Sequence, residues 1–225
     1  MAQSPALAAR EVRIASDGIW LTGDLSVPPE ATGLVLFAHG TGSGRHSARN
    51  RMVASHLQQA GIATLLPDML TQQEQGGPYS REHHMDVALL TRRMQDATAW
   101  AMEQPSLRQL PLGYFGASTG SAAALIAAAR LGGQVAAVVS RGGRPDLAGH
   151  AVLAAIKAST LLIVGAADEA VLDLNERAYQ QLRCERSLAV VPGAGHLFEE
   201  PGALEQVAEM AASWFHAHMV AVETA

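Results

Sequence analysis

One cysteine, Cys184, is all the thiol chemistry that 225 residues offer. A disulfide framework is thereby excluded, and a lone thiol is compatible with a reducing, cytoplasmic compartment. Charge of one sign is never concentrated. The net charge of −5 comes without a long acidic or basic run, so neither a nucleic-acid partner nor a polybasic membrane patch is expected. The most basic stretch, "GRHSARNR" (44–51), holds no aromatic residue on which a base could stack. No uninterrupted apolar run approaches the roughly 18 residues that suggest a membrane span. The opening "MAQSPALAAREVRIASDG" has no sustained apolar core behind a basic start, so no signal peptide is expected. Repeats, low-complexity tracts and Pro/Gly-rich linkers are also missing. With 48% hydrophobic residues the chain can bury a substantial core, and one domain over 1–225 is expected.

What remains has a clear rhythm. "EVRIAS" and "IWLTGDLSVP" read as two outer strands around an Asp17-Gly18 turn. From "GLVLFAHG" onward, short apolar runs (33–38, 62–66, 110–115, 135–140, 160–165, 187–191) alternate with longer helical stretches. Continuous apolar runs suit strands buried on both faces, and the alternation suits a mostly parallel sheet with helices on both sides. In the helix expected at about 86–104, Val87, Leu90, Met94, Ala97 and Ala101 share an apolar face, while Arg92, Arg93 and Gln95 point elsewhere. Leu204, Val207, Ala211, Trp214 and Phe215 repeat the pattern in a final helix. "DMLTQQEQGGPYSREHH" (68–84) reads as one long irregular connection, either the edge of a site or a surface excursion.

Gly116-Ala117-Ser118-Thr119-Gly120 fits G-x-S-x-G, a pattern that needs context to mean anything. Here an apolar strand precedes the serine and an alanine-rich helix over 121–131 follows it. A strand turning directly into a helix strains the backbone at the serine and crowds positions two residues to either side, so both are glycine. The turn aims the hydroxyl out of the sheet, at the positive end of the next helix.

A nucleophilic serine needs a base, and the base needs an orienting acid. His216 and His218 sit on the final helix, where a solvated face is expected, and His150 belongs to a helical stretch. His196 instead follows "SLAVVPGAG", a strand and a glycine-bearing loop, and such loops meet at the ligand crevice of a parallel sheet. Asp168 ends the preceding strand, "TLLIVGAAD"; Glu169 and Asp173 lie further into the helix. Ser118, Asp168 and His196 thus form the candidate triad. The amides of Thr119 and Thr41 are the candidate oxyanion donors, and His39 is expected to hold its loop. "GTGSGRHS" matches no phosphate-binding glycine pattern, and "REHH" and "HAH" lack metal-ligand spacing, so neither cofactor nor metal is expected.

"FAHGTGSGRHS", "GYFGASTG", "LLIVGAAD" and "VVPGAGHLFEEP" resemble the α/β-hydrolases, and more closely the small, cap-less, dienelactone-hydrolase-like group. The resemblance runs from about Glu11 to Met219. It implies the α/β-hydrolase fold and cofactor-free hydrolysis of a small ester, lactone or thioester substrate. Dienelactone hydrolases proper use a cysteine nucleophile, whereas this elbow holds Ser118 and Cys184 is expected on a distant helix. Carboxylesterase chemistry is therefore the expectation, with acyl transfer to an alcohol or peroxide, or a non-catalytic scaffold, as alternatives. "SRGGRPDLAGHAVLAAIKA" is too short for a lid domain between two strands. Within it Arg141 and Arg144 are candidate substrate-binding residues, able to grip a carboxylate on the substrate. The plainer expectation pairs Arg141 with Asp146 or another acid.

Overall fold

A computed structural model describes residues 9–40 and 43–219 of the chain. Among these residues eight strands form one sheet: β1 (Arg10–Ser16), β2 (Ile19–Ser26), β3 (Leu34–Ala38), β4 (Ala63–Pro67), β5 (Leu112–Ala117), β6 (Val135–Arg141), β7 (Ser159–Gly165) and β8 (Arg186–Val191). The helices described are α1 (Ala48–Gln59), α2 (Gln72–Gly76), α3 (Ser80–Met85), α4 (Val87–Glu103), α5 (Thr119–Leu131), α6 (His150–Ala155), α7 (Glu169–Gln181) and α8 (Ala203–His218).

The strand order is β1-β2-β4-β3-β5-β6-β7-β8. β1 pairs antiparallel with β2 and β2 antiparallel with β4, and every other pairing is parallel. The expected Asp17-Gly18 turn joins Ser16 to its partner Ile19, with both turn residues at positive φ, as the twist of a two-residue hairpin requires. Beyond β5 the sheet grows at one edge, each new strand taking its place in chain order.

Alternation along the buried strands divides the core in two. Leu34, Leu36 and Tyr114 face one layer, which Met94, Ala97, Ala124, Leu153 and Ala178 bring in from α4, α5, α6 and α7. Val35, Phe37, Phe115 and Ile163 face the other, covered by α1 and α8 through Val53, Leu57, Val207 and Phe215. Strands β3 to β7 are thus buried on both faces, which is why they read as unbroken apolar runs. Each fully buried aliphatic or aromatic side chain stabilises this arrangement by roughly 1.5–3 kcal/mol. Among the described residues no helix is long and apolar enough to cross a membrane.

The fold corrects two expectations. Residues 68–84 are not one irregular connection, because α2 and most of α3 lie within them. α2 opens with a capping box: the Glu74 amide donates to Thr71 Oγ1 at 3.2 Å and the Thr71 amide to Glu74 Oε2 at 2.7 Å. Arg93, expected to point away from the apolar face of α4, is buried all the same. Its buried guanidinium grips Glu74 at 2.7 and 2.6 Å and donates to the Met69 carbonyl at 2.7 Å. That partnership, with the capping hydrogen bonds, brings the Glu74 carboxyl down to about 2. A buried arginine reads as polar in a helical pattern until its acid is known.

Candidate active site

Ser118 is the hinge between β5 and α5, at φ 51° and ψ −127°. A side chain strains this region of backbone space by about 1–3 kcal/mol, and it persists only where the surroundings impose it. They do so through the Ser118 carbonyl, which accepts from the Ser121 amide at 3.1 Å, the Ser121 hydroxyl at 2.8 Å and the Arg144 amide at 3.1 Å. The Ser118 amide in turn donates to the Arg141 carbonyl at 3.3 Å. The flanking glycines are required by close approach. A Cβ on Gly116 would lie 2.4 Å from Ser121 Cα, and one on Gly120 would lie 2.2 Å from the Ala38 carbonyl oxygen.

Behind the elbow, Asn175 of α7 is fully buried and donates to the Gly143 carbonyl at 3.0 Å. The next residue is Arg144, whose amide holds Ser118. The helix that begins at Asp168 is thereby tied to the turn that carries the serine.

The candidate acid and base stand at the ends of neighbouring strands. Asp168 occupies the residue just before α7 and beyond β7, and His196 lies in the loop after β8. His196 Nδ1 is 2.6 Å from Asp168 Oδ2. Their loops are laced together: the Ala166 amide donates to the Val191 carbonyl and the Ala167 amide to the Ala194 carbonyl, both at 2.9 Å. Asp168 is largely sheltered and His196 is 40% exposed. Glu169 and Asp173 face solvent on α7.

Ser118 and His196 line one cavity of about 230 Å3, together with Gly40, Ser43, Arg49 and Arg141. Among the described residues no hydrogen bond joins the Ser118 hydroxyl to the His196 ring. Catalytic hydrogen bonds are often long in a ligand-free site and tighten once substrate is bound. Thr119, the first residue of α5, is buried directly after the serine, and Thr41 lies outside the described residues.

His39 is buried at the exit of β3. Its Nε2 accepts from the Met69 amide at 2.8 Å, which leaves the proton on Nδ1, 3.3 Å from the Gly40 carbonyl. The ring ties the exits of β3 and β4 together. His150 is exposed beside Gln181 and His216 faces solvent. His218, expected on a solvated face, is instead partly buried. It stacks on Trp214 with centroids 4.0 Å apart, donates to the Trp214 carbonyl and pairs with Glu185 at 3.1 Å.

The arginines also depart from expectation. The guanidinium of Arg144 is held by Asp146 through two contacts of 2.8 Å and does not line the cavity. Asp146 is thus taken, and among the described residues no acid pairs with Arg141. Cys184 is not on a helix. It lies between α7 and β8, its thiol 3.7 Å from Thr160 Oγ1 at the opposite end of the sheet from Ser118, and burial pushes its pKa up. Among the described residues no group of three or more His, Cys, Asp or Glu side chains is placed to hold a metal. Arg49 and Ser43 escaped the sequence reading. They belong to the basic stretch and the glycine loop, whose patterns speak only to polyanion or phosphate binding and match neither.

A mostly parallel, doubly covered sheet, with a serine elbow at the end of β5 and no cap among the described residues, defines the α/β-hydrolase fold. Within that fold the chain belongs to the dienelactone hydrolase family, whose model matches residues 23–222. A dienelactone hydrolase structure from Anabaena variabilis is 50% identical, with a TM-score of 0.92 over 95% of this chain and 99% of that one. Est1E from Butyrivibrio proteoclasticus shares the fold at 18% identity, with a TM-score of 0.78 over 92% of this chain and 98% of that one. Proteins from two strains of Mycobacterium tuberculosis, whose names propose a phosphoribosyl transferase, are 52% identical over 218 residues. The match covers 97% of this chain and 48% of theirs, so the chain spans about half the length of these relatives.

Proposed function

We propose that the chain is a serine hydrolase that cleaves a small carboxylic ester or lactone through an acyl-serine intermediate. The observation that carries this reading is the strained Ser118 sharing a cavity with His196, whose Nδ1 is bound to Asp168 at 2.6 Å. Asp168 fixes the tautomer in which His196 Nε2 is free to accept a proton. As the Ser118 oxygen attacks the substrate carbonyl, its proton passes to Nε2. The amide of Thr119, the residue after the nucleophile, receives the oxyanion. The tetrahedral intermediate then collapses, the carbonyl–oxygen bond to the alcohol breaks, and the imidazolium returns its proton to the departing oxygen. Water, deprotonated by the same ring, attacks the acyl group, and the acid leaves as Ser118 regains its proton. His196 is open to solvent, which favours water over an alcohol or peroxide as the second nucleophile.

Arg141 is the remaining substrate-binding candidate, beside the serine and free to hold an anionic part of the substrate. Arg144 is assigned instead to positioning through its amide. Phosphoribosyl transfer, in the names of the Mycobacterium tuberculosis relatives, belongs to chains about twice as long; hydrolysis is inferred from the site that this chain itself carries.

The test is a fluorophosphonate probe with a panel of aryl esters, lactones, amides and thioesters. Ser118 should be labelled stoichiometrically, and Ser118→Ala should stay folded while losing both labelling and ester turnover. Labelling that survives Ser118→Ala would sink the assignment.

A further inference from the structure

Arg141 is a charge without a counter-charge. It closes β6 with 7% of its surface exposed. Among the described residues its side chain makes no hydrogen bond, and Nε and Nη1 are fully shielded from solvent. Burial above all, then the like charge of Arg49, brings its pKa down to about 10. Proteins rarely leave an ion buried and unpaired, because its lost hydration is then uncompensated.

Arg49 reaches the same cavity from α1. Its Nε is also buried without a partner. The acid it meets, Glu199, makes one contact of 3.3 Å and is itself 68% exposed, so solvent screens it. Asp168 is engaged by His196. Ser43, on the cavity wall, accepts from Asn50 Nδ2 at 3.3 Å and keeps its own hydroxyl proton to donate. The cavity is therefore lined by two arginines from two separate elements, and the one acid paired with either of them is screened by solvent. A carboxylate can bridge two guanidinium groups but brings only one negative charge to two positive ones. A tetrahedral phosphoryl group carries three terminal oxygens and nearly two negative charges, enough to balance both arginines and meet the hydroxyl together.

We propose that Arg141, Arg49 and Ser43 bind a phosphoryl dianion beside Ser118, and that the ester cleaved there carries a phosphate monoester group. The substrate class rests on the serine-hydrolase reading, whereas the anion site stands without it. The phosphoryl group anchors the substrate and keeps all its bonds; only the acyl carbon–oxygen bond breaks.

The experiment measures the rate at which a fluorophosphonate labels Ser118 in the full chain, at one neutral pH and constant ionic strength. The added probes are inorganic phosphate, dimethyl phosphate or acetate, with binding of each measured in parallel by calorimetry. Phosphate should protect Ser118 and bind roughly tenfold or more tightly than either monoanion. Arg141→Gln and Arg49→Gln should each weaken phosphate binding by roughly tenfold or more, as expected when a buried charge partner is truncated. Arg49 is partly exposed, so its variant answers even if Arg141→Gln fails to fold. Equal binding of acetate and phosphate, absence of phosphate binding, or undiminished phosphate binding in a folded Arg49→Gln would overturn the proposal. Labelling without phosphate binding removes this site and leaves the hydrolase reading intact. Phosphate binding without labelling does the reverse.

Discussion

Gly120→Ala isolates what the serine elbow demands of its surroundings. The new Cβ would lie 2.2 Å from the Ala38 carbonyl oxygen, 2.6 Å from its carbon and 2.8 Å from the His39 carbonyl carbon. All three atoms are backbone at the exit of β3, so no rotamer change relieves the contact. Overpacking of this kind costs up to about 3 kcal/mol when neighbours cannot yield. Alanine inside a helix recovers about 1 kcal/mol over glycine. A net loss of about 2 kcal/mol follows, or roughly 4–8 °C in melting temperature for a chain of this size. The larger effect falls on chemistry. α5 must shift its first turn, carrying the Ser118 oxygen and the Thr119 amide with it, and a misplacement near 1 Å can cost about a hundredfold in rate. Thermal unfolding and fluorophosphonate labelling kinetics measure the two effects. Gly133→Ala is the control, because nothing lies within 4 Å of its added Cβ and its backbone suits any residue; it should melt at or slightly above the wild-type temperature. A Gly120→Ala protein with wild-type melting and labelling would refute the idea that close approach dictates this glycine.

Asp168→Asn should keep fold and substrate binding but lower turnover by about 10⁴, since an amide favours the wrong imidazole tautomer; steady-state kinetics decide, and loss in Asp173→Asn instead would move the role. Ser121→Ala removes the 2.8 Å bond to the Ser118 carbonyl and should slow labelling while leaving KM nearly unchanged; a change confined to KM would contradict a positioning role. Glu74 is held down at about 2 from 4.5 by Arg93, so its stabilisation is complete above pH 4.5 and is lost as pH falls towards 2. Glu74→Gln should therefore melt earlier at neutral pH, by at most about 3 kcal/mol of stability, and the gap should close on acidification. A gap that is independent of pH would contradict stabilisation through the charged Glu74–Arg93 pair.

The centre of the sheet was legible because β3 to β7 are buried on both faces. Runs such as Leu34–Ala38 and Ser159–Gly165 contain little that water could hold. The elbow was legible for a different reason: Gly116 and Gly120 mark contacts that only glycine fits. Long-range pairing was not legible. Thr71 and Glu74 have the spacing of a capping box, a local signal for α2 that the reading of 68–84 as a loop passed over, but Arg93 lies nineteen residues beyond Glu74. Arg144 and Arg141 were interchangeable on paper, and only the folded loop decides which of them Asp146 holds. Arg49 contributes to the cavity from a helix sixty-nine residues before the serine, a distance that composition and motif do not span.

The order in which the sheet grows has a consequence for the chain as it is made. β5, β6, β7 and β8 are added at one edge in the order in which a ribosome would deliver them, so Ser118 emerges first, Asp168 next and His196 last. A nascent chain halted before β8 would carry the elbow and the acid without the base. On the proposed hydrolase reading, the serine's reactivity would wait on the last strand, and premature release would yield an inert fragment rather than an unregulated nucleophile.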